Sequence, residues 1–339
     1  MKTAIKEYIE LTDLEKERLW NRAVFVFDTN VFLNLYRYSK KTRDALLAAM
    51  KDLKDQIWMP HQVAYEFMKN RPDVIFESVE RYPKLEDNIL QLCKDNLRIK
   101  DNDPEFKKLQ KVVTKWFDDY KKANLLVDNV FDDDILEKLL LLFENKTGKP
   151  IPESDLIELK KEGEERYKKE IPPGYKDRKK TKGDKDNNAY GDLIVWKQIL
   201  DYAKTNKKDI VFVTHDQKDD WWNTVHGKTL GPRIELKKEF YDYTEMLFHM
   251  YTMDNFISHF ETAKDNRSIV DEVRAYNDIS QEMQTMIQAG DTAYILSEEE
   301  MGYLDLQQIQ SLIHELEEKK ERREKELTSL LHKYNDHEL

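Results

Sequence analysis

Two short stretches of the chain carry no polar alternation: Ala23-Val24-Phe25-Val26-Phe27 and Ile210-Val211-Phe212-Val213. Runs of β-branched and aromatic residues with no polar face read as strands covered on both sides, the kind found in parallel sheets sandwiched by helices. Most of the remaining chain follows a helical period. Thr12-Asp13-Leu14-Glu15 matches a capping box and predicts a short helix leading into the first strand. Apolar spacing predicts two more helices, over 31–38 and 41–53. Ile57-Trp58-Met59 predicts a short second strand, and Pro60, suited to a first helical position, opens a helix over 61–70. From about Pro72 to Lys146 the pattern is charged and amphipathic, with helices expected over 86–97, 105–124 and 134–143. We read it as a helical insertion. A further helix is expected over 155–170, then a loop over 171–186. Gly191-Asp192 opens a helix over 193–206 that feeds the second buried strand. Residues 247–253 fit either a strand followed by a helix over 254–263 or one continuous helix.

Beyond about residue 264 no buried-strand pattern recurs. Ser297-Glu298-Glu299-Glu300 is a second capping box. The helix after it places Ile309, Leu312, Ile313, Leu316 and later Leu327, Leu330 and Leu331 on one face, interrupted by the polar stretch 317–326. The expected organisation is an α/β domain over 1–263, with its helical insertion at about 72–170, and a helical C-terminal module over 264–339. The heptads of that module are too few to define a coiled coil. Its apolar face suits packing on the core, pairing with a second copy, or a regulatory protein partner.

Composition narrows the picture. The chain has 339 residues, only nine glycines and a net charge of −11. The charge balance excludes nucleic-acid binding through overall charge and demands a local patch if such binding occurs. The single cysteine, Cys93, rules out an internal disulfide and fits a reducing, cytoplasmic setting. The charged start, residues 1–18, carries no signal-peptide pattern, and no stretch reaches the roughly 18 apolar residues of a spanning helix.

Each buried strand runs into an aspartate, Asp28 in Asp28-Thr29-Asn30 and Asp216 in Thr214-His215-Asp216. Ligands of open α/β sheets gather beyond the carboxyl ends of the strands. Two more acids sit at corresponding places: Glu66 on the helix after the second strand, and Asp192 in the first turn of the helix before the last. An all-oxygen set of carboxylates suits Mg2+ or Mn2+ rather than zinc. Such ions activate water and stabilise the leaving oxygen of a phosphodiester. Taken singly, each acid has a plainer reading. Asp28 and Asp216 could cap helices, Asp192 could answer a helix dipole, and Glu66 could be solvated. Their conjunction in one strand-helix order points to a site.

The ordered set Phe27-Asp28-Thr29-Asn30, Glu66, Asp192 and Val213-Thr214-His215-Asp216 resembles the PIN-domain nucleases, in particular a bacterial PIN-like group with a large helical insertion. Supporting segments are Leu33-Asn34-Leu35-Tyr36-Arg37-Tyr38-Ser39, Pro60-His61-Gln62-Val63-Ala64-Tyr65-Glu66 and Pro172-Pro173-Gly174-Tyr175-Lys176-Asp177. Two more are Tyr190-Gly191-Asp192-Leu193-Ile194-Val195-Trp196-Lys197-Gln198 and Lys218-Asp219-Asp220-Trp221-Trp222. The resemblance covers roughly 25–240. It implies a PIN-like α/β/α sandwich around a parallel sheet. It also implies Mg2+- or Mn2+-dependent endonucleolytic cleavage of single-stranded nucleic acid, RNA before DNA. Asp28, Glu66, Asp192 and Asp216 fall on the catalytic and metal-binding positions, and Asp220 on an additional metal-ligating acid. His215 stands where similar proteins commonly carry an acid.

Substrate contacts are expected from Asn30, Thr214 and His215. The basic loop would add Lys176, Arg178, Lys179 and Lys180, neutralising phosphates, and Trp221 would stack on an unpaired base. The competing readings are a PIN-like scaffold that binds RNA or protein without cutting, and an HD-type phosphohydrolase built on His215-Asp216. The second would need those residues on a helix with further histidine ligands, whereas here they end a strand. A haloacid-dehalogenase-like phosphatase needs a second aspartate where Asn30 stands. Family habit adds a toxin or phage-defence role to the nuclease reading.

Overall fold

The computed structural model describes residues 8–97, 100–125, 127, 129–176, 188–260 and 267–275. They all belong to one compact unit, Met1–Gln284; the other unit, Thr285–Leu339, lies outside the described residues. So do the capping box at 297–300 and the apolar face expected after it.

Helix α1 (Asp13–Arg22) starts at Thr12, where the expected capping box is formed with Glu15. It delivers the chain into β1 (Val24–Phe27), buried along its whole length. Asp28 caps α2 (Thr29–Asn34) and Ser39 caps α3 (Lys40–Asp52). The helical part follows: α4 (His61–Leu97), α5 (Pro104–Asn124), α6 (Asp134–Leu142) and α7 (Glu153–Lys168). Next come α8 (Gly191–Asn206), β2 (Ile210–Thr214), a hairpin of β3 (Trp222–Val225) and β4 (Lys228–Pro232), α9 (Ile234–Thr244), β5 (Phe248–Thr252) and α10 (Met253–Ile257).

β1, β2 and β5 form a parallel sheet in the order β1-β2-β5, with β2 central. The register sets Phe25 beside Val211 and Val211 beside His249. Phe25, Phe27 and Phe212 are fully buried, and each such side chain stabilises the fold by roughly 1.5–3 kcal/mol. Because β1 and β2 pair in step, Phe27 against Val213, their carboxyl ends finish level. Asp28 and Thr214-His215-Asp216 therefore leave the sheet at the same edge.

The structure departs from the expected elements in three places. Residues 57–59 make one bridge to Phe25 and one to Thr147 instead of a ladder. Three residues stopped by Pro60, which has no N–H to donate, are too few for a strand. α4 runs unbroken through Pro72 and Pro83 for 37 residues, so the helix that carries Glu66 continues into the insertion. Burial of Val74, Ile75, Ser78, Tyr82 and Leu85 along it outweighs the prolines' local cost. The β3–β4 hairpin has no counterpart among the expected elements. Its turn uses positive φ at both His226 and Gly227, the backbone of a tight two-residue hairpin loop, but His-Gly is a weaker signal than Asn-Gly. Of the two readings for 247–253, the strand followed by a short helix holds.

Residues 267–275 are helical and return to this core. Ile269 and Val273 are buried in it. Glu272 accepts hydrogen bonds from Ser39 N (2.7 Å), Ser39 Oγ (2.7 Å) and Thr42 Oγ1 (2.5 Å) at the start of α3.

Candidate active site

Asp28 occupies the N-cap position of α2 directly after a buried strand, so its carboxylate is aimed by the backbone rather than by a flexible stem. Its Oδ1 accepts Thr29 N at 2.7 Å. Its Oδ2 accepts Asn30 Nδ2 at 2.7 Å and Thr214 Oγ1 at 2.6 Å. Thr214 is fully buried and also receives Asp216 N at 2.9 Å, which ties the two strand ends together. Asn30 closes the same ring, with its Oδ1 accepting His215 N at 3.1 Å.

The surrounding protein withdraws the Asp28 carboxyl from water and pushes it up from 3.8 to about 6; the Thr214 hydrogen bond opposes this, and the nearby charges of Asp216 and Glu66 reinforce it. Glu66 stands one and a half turns into α4. It accepts Thr29 Oγ1 at 3.0 Å and Gln62 Nε2 at 2.8 Å, one on each oxygen. α8 enters beside it. A Cβ on Gly191 would press into Glu66 Oε1, so only glycine lets the helix start this close to the carboxylate as it stands. Asp192 follows in the first turn of α8, and Trp221 Nε1 donates to its Oδ2 at 3.3 Å. Asp216 is oriented by Lys218, whose backbone N (2.8 Å) and Nζ (3.1 Å) each reach one of its oxygens. The Trp222 indole N–H donates to the Asp216 carbonyl.

Asp28, Glu66 and Asp216 are thus electrostatic neighbours, and Asp192 adjoins the glycine that touches Glu66. Among the described residues, no group of three or more His, Cys, Asp or Glu side chains is arranged to hold a metal ion. The donor set is nonetheless all oxygen, and like-charged neighbours raise Asp28's proton affinity, a tension that a hard cation relieves. Mg2+ binds through one or two carboxylates and keeps several waters, so it needs no closed protein cage.

Other expected residues fall elsewhere. Asp220 is fully buried and accepts the N–H groups of Gly174 (3.1 Å) and Lys176 (3.2 Å), anchoring the loop over 172–176. Gly174 serves that anchor: its φ is +87°, and a Cβ there would meet Tyr167 Oη at 2.5 Å. Trp221 does not present a stacking face. It is 2% exposed and packs on Phe212 at 4.9 Å between ring centres, so the expectation of base stacking is corrected to a core role. Thr214 has no exposed surface, and the Asn30 amide is engaged by Asp28, Thr214 and His215; both act on the site by positioning its acids. His215 Nε2 meets Tyr38 Oη at 2.6 Å. Lys176 pairs with Asp219 at 2.9 Å. Arg178, Lys179 and Lys180 lie outside the described residues.

Sequence reasoning missed the buried hydroxyl of Thr214 as a brace, the Trp222–Asp216 bond, the Tyr38–His215 pair and the glycine requirement at 191. Gly191 alone left a signal, because a glycine beside an acid at a helix start implies close approach.

A parallel sheet of β1, β2 and β5, with Asp28 and Asp216 following its first two strands and a long helical insertion between those strands, fits an α/β fold of PIN type. The family model described as PIN like domain matches residues 24–236, and the chain belongs to that family, part of the PIN-like nuclease superfamily. No curated protein and no solved structure gives a match to this chain.

Proposed function

We propose that this protein is a divalent-metal-dependent endonuclease acting on single-stranded nucleic acid, with RNA preferred to DNA. The observation that carries this reading is Asp28: a carboxylate withdrawn from water at the edge of the sheet, with Asp216 and Glu66 as like-charged neighbours and no cationic partner among the described residues. Asp28, Asp192 and Asp216 would hold Mg2+ or Mn2+. When bound, the ion supplies an activated water and stabilises the leaving oxygen. Glu66, with each oxygen already holding one donor and keeping a further lone pair, would complete the site or orient the attacking water. Thr214 and Asn30 keep Asp28 fixed, and Lys218 with Trp222 fixes Asp216. In this reading Asp220 anchors a loop instead of ligating metal.

The test is cleavage of labelled single-stranded RNA and DNA with Mn2+ or Mg2+, comparing wild type with Asp28→Asn and Asp216→Asn. Cutting that needs the metal and both aspartates supports the reading. Metal-independent binding with no cutting would favour the second reading, a PIN-like scaffold that binds RNA or protein without cutting. A cytoplasmic toxin or phage-defence role is proposed with the nuclease, along with a C-terminal module that pairs with a second copy or a regulator; because residues 267–275 pack on the core, its start is moved from the expected 264 to beyond them. Growth arrest by the wild type and not by Asp28→Asn would support the toxin role, and equal arrest by both would refute it. Among the described residues no helix is long and apolar enough to cross a membrane.

A further inference from the structure

Several surface lysines sit beside an acid one turn away. Lys40 pairs with Asp44, Lys84 with Glu80, Lys108 with Glu105, Lys168 with Glu165 and Lys238 with Asp242. Lys108 is on α5, but four other lysines of that helix differ from it. Lys107, Lys111, Lys115 and Lys122 are exposed, and none makes an ion pair among the described residues. At 100° per residue the four fall within one stripe, with Asp118 inside it and Asp119 at its margin. The opposite face of the helix is pinned by buried Phe106, Val113 and Phe117, so the stripe cannot rotate inward.

Lys107, Lys111 and Lys115 stand at i, i+4 and i+8, about 6 Å apart along the axis. Like charges at that spacing destabilise a helix, and here they occur in a chain of net charge −11. The C-terminal end of α5 reaches the start of α3. Asn124 Oδ1 accepts Lys40 N at 3.3 Å, and the Asn124 carbonyl accepts Arg43 at 3.0 Å. Two residues before Lys40, Tyr38 holds His215, the neighbour of Asp216. The stripe therefore runs along the insertion, and its helix ends at the turn that braces the acidic site.

We propose that this lysine stripe binds the phosphate backbone of the nucleic-acid strand cut at the acidic site; the inference rests on the nuclease reading. Evenly spaced cations tracking a strand supply sequence-independent affinity through counterion release. They also answer how an acidic protein with no glycine-rich phosphate loop holds a polyanion. The insertion then acts as the substrate arm of the enzyme.

The experiment uses the full chain carrying Lys107→Gln, Lys111→Gln, Lys115→Gln and Lys122→Gln together, and a second variant with arginine at the same four positions. Binding of fluorescent oligouridine and oligothymidine is measured in EDTA across a salt series, with the thermal unfolding midpoint as a check on folding. The glutamine variant should unfold at the wild-type temperature and bind at least tenfold more weakly. Its log K against log salt slope should be shallower by about 3, at about 0.7 for each single-strand phosphate that is no longer neutralised. The arginine variant should bind like wild type. An unchanged slope and affinity in the glutamine variant, or no strand binding by the wild type, overturns the stripe. Cleavage separates the two readings: a wild type that cuts while the glutamine variant binds and cuts equally well leaves the nuclease standing without the stripe. Stripe-dependent binding by a wild type that never cuts supports the stripe and overturns the nuclease.

Discussion

Asp28 and Asp133 are both aspartates at helix N-caps, drawn in from solvent, and they are provided for in opposite ways. Asp133 starts α6, accepts Ile135 N and Leu136 N on one oxygen, and takes the Tyr36 hydroxyl and the Arg71 guanidinium on the other. Its charge is cancelled within the fold. Asp28 starts α2 with comparable hydrogen bonding, yet its nearby charges are those of Asp216 and Glu66. Glu239, held by Arg166 and Lys197 and by the Trp196 indole, follows the pattern of Asp133, and its carboxyl is lowered by those partners against the cost of burial. A fold able to neutralise two shielded acids in its helical layers leaves the one at the sheet edge without a cation. Perturbed acids of that kind mark sites of chemistry more often than sites of stability.

The sharpest way to break this contrast is Asp28→Asn. Metal-dependent cleavage should fall by on the order of 10³-fold, the scale on which removing one key electrostatic group acts. The same variant should change how stability depends on pH. Asp28's folded pKa is raised above its unfolded value, so its protonated form favours folding, and that stability is lost as pH rises from 3.8 through about 6. Denaturant unfolding of the metal-free wild type should show a decline of about 2 kcal/mol over that window attributable to this group. The variant should lack it. An identical pH profile in both proteins would remove Asp28's special status.

Arg71→Met tests the other half. It strands the Asp133 carboxylate in the interior and should cost about 3–5 kcal/mol of stability, read by chemical denaturation. Cleavage per folded molecule should stay near wild type, because the pair lies among the helices and not at the sheet edge. Next in size is Gly191→Ala. The new methyl would press into Glu66 Oε1, and a carboxylate on a flexible stem can move away cheaply. Stability should hold, while turnover drops by about 10- to 100-fold, as misplaced catalytic groups do. A stable and fully active alanine variant would remove Glu66 from the chemistry.

What could be read from the chain follows from range. The two buried strands, the capping box at Thr12 and the order of the acids are local or strictly periodic signals, and they placed Asp28 and Asp216 at one edge because parallel pairing leaves little choice. Trp221 could not be placed, since a tryptophan next to an acid looks the same whether it faces solvent or Phe212; only the packing around β2 decides. α4's passage through two prolines was hidden for the same reason, because its support comes from side chains buried against other elements. The lysine stripe was present in the sequence as i, i+4, i+8 spacing. It gains meaning only because the neighbouring acids leave it unpaired in three dimensions.

The smallest expected effect concerns Glu272, the acid that residues 267–275 bring back to α3. Its two oxygens receive Ser39 N, Ser39 Oγ and Thr42 Oγ1, so it serves as an N-terminal cap supplied from far along the chain, favourable to the helix dipole as well. Glu272→Ala should cost about 1–2 kcal/mol, the usual scale on which removing a cap acts, and Glu272→Gln less. Ser39 adjoins Tyr38, and Tyr38 is bonded to His215, so the alanine variant also tests whether this strap merely stabilises or also aligns the site. A fall in kcat at unchanged KM, measured well below the unfolding midpoint, would mean that alignment passes through this contact. Loss of stability alone would place Glu272 with Asp133, among the acids the fold uses to hold itself together.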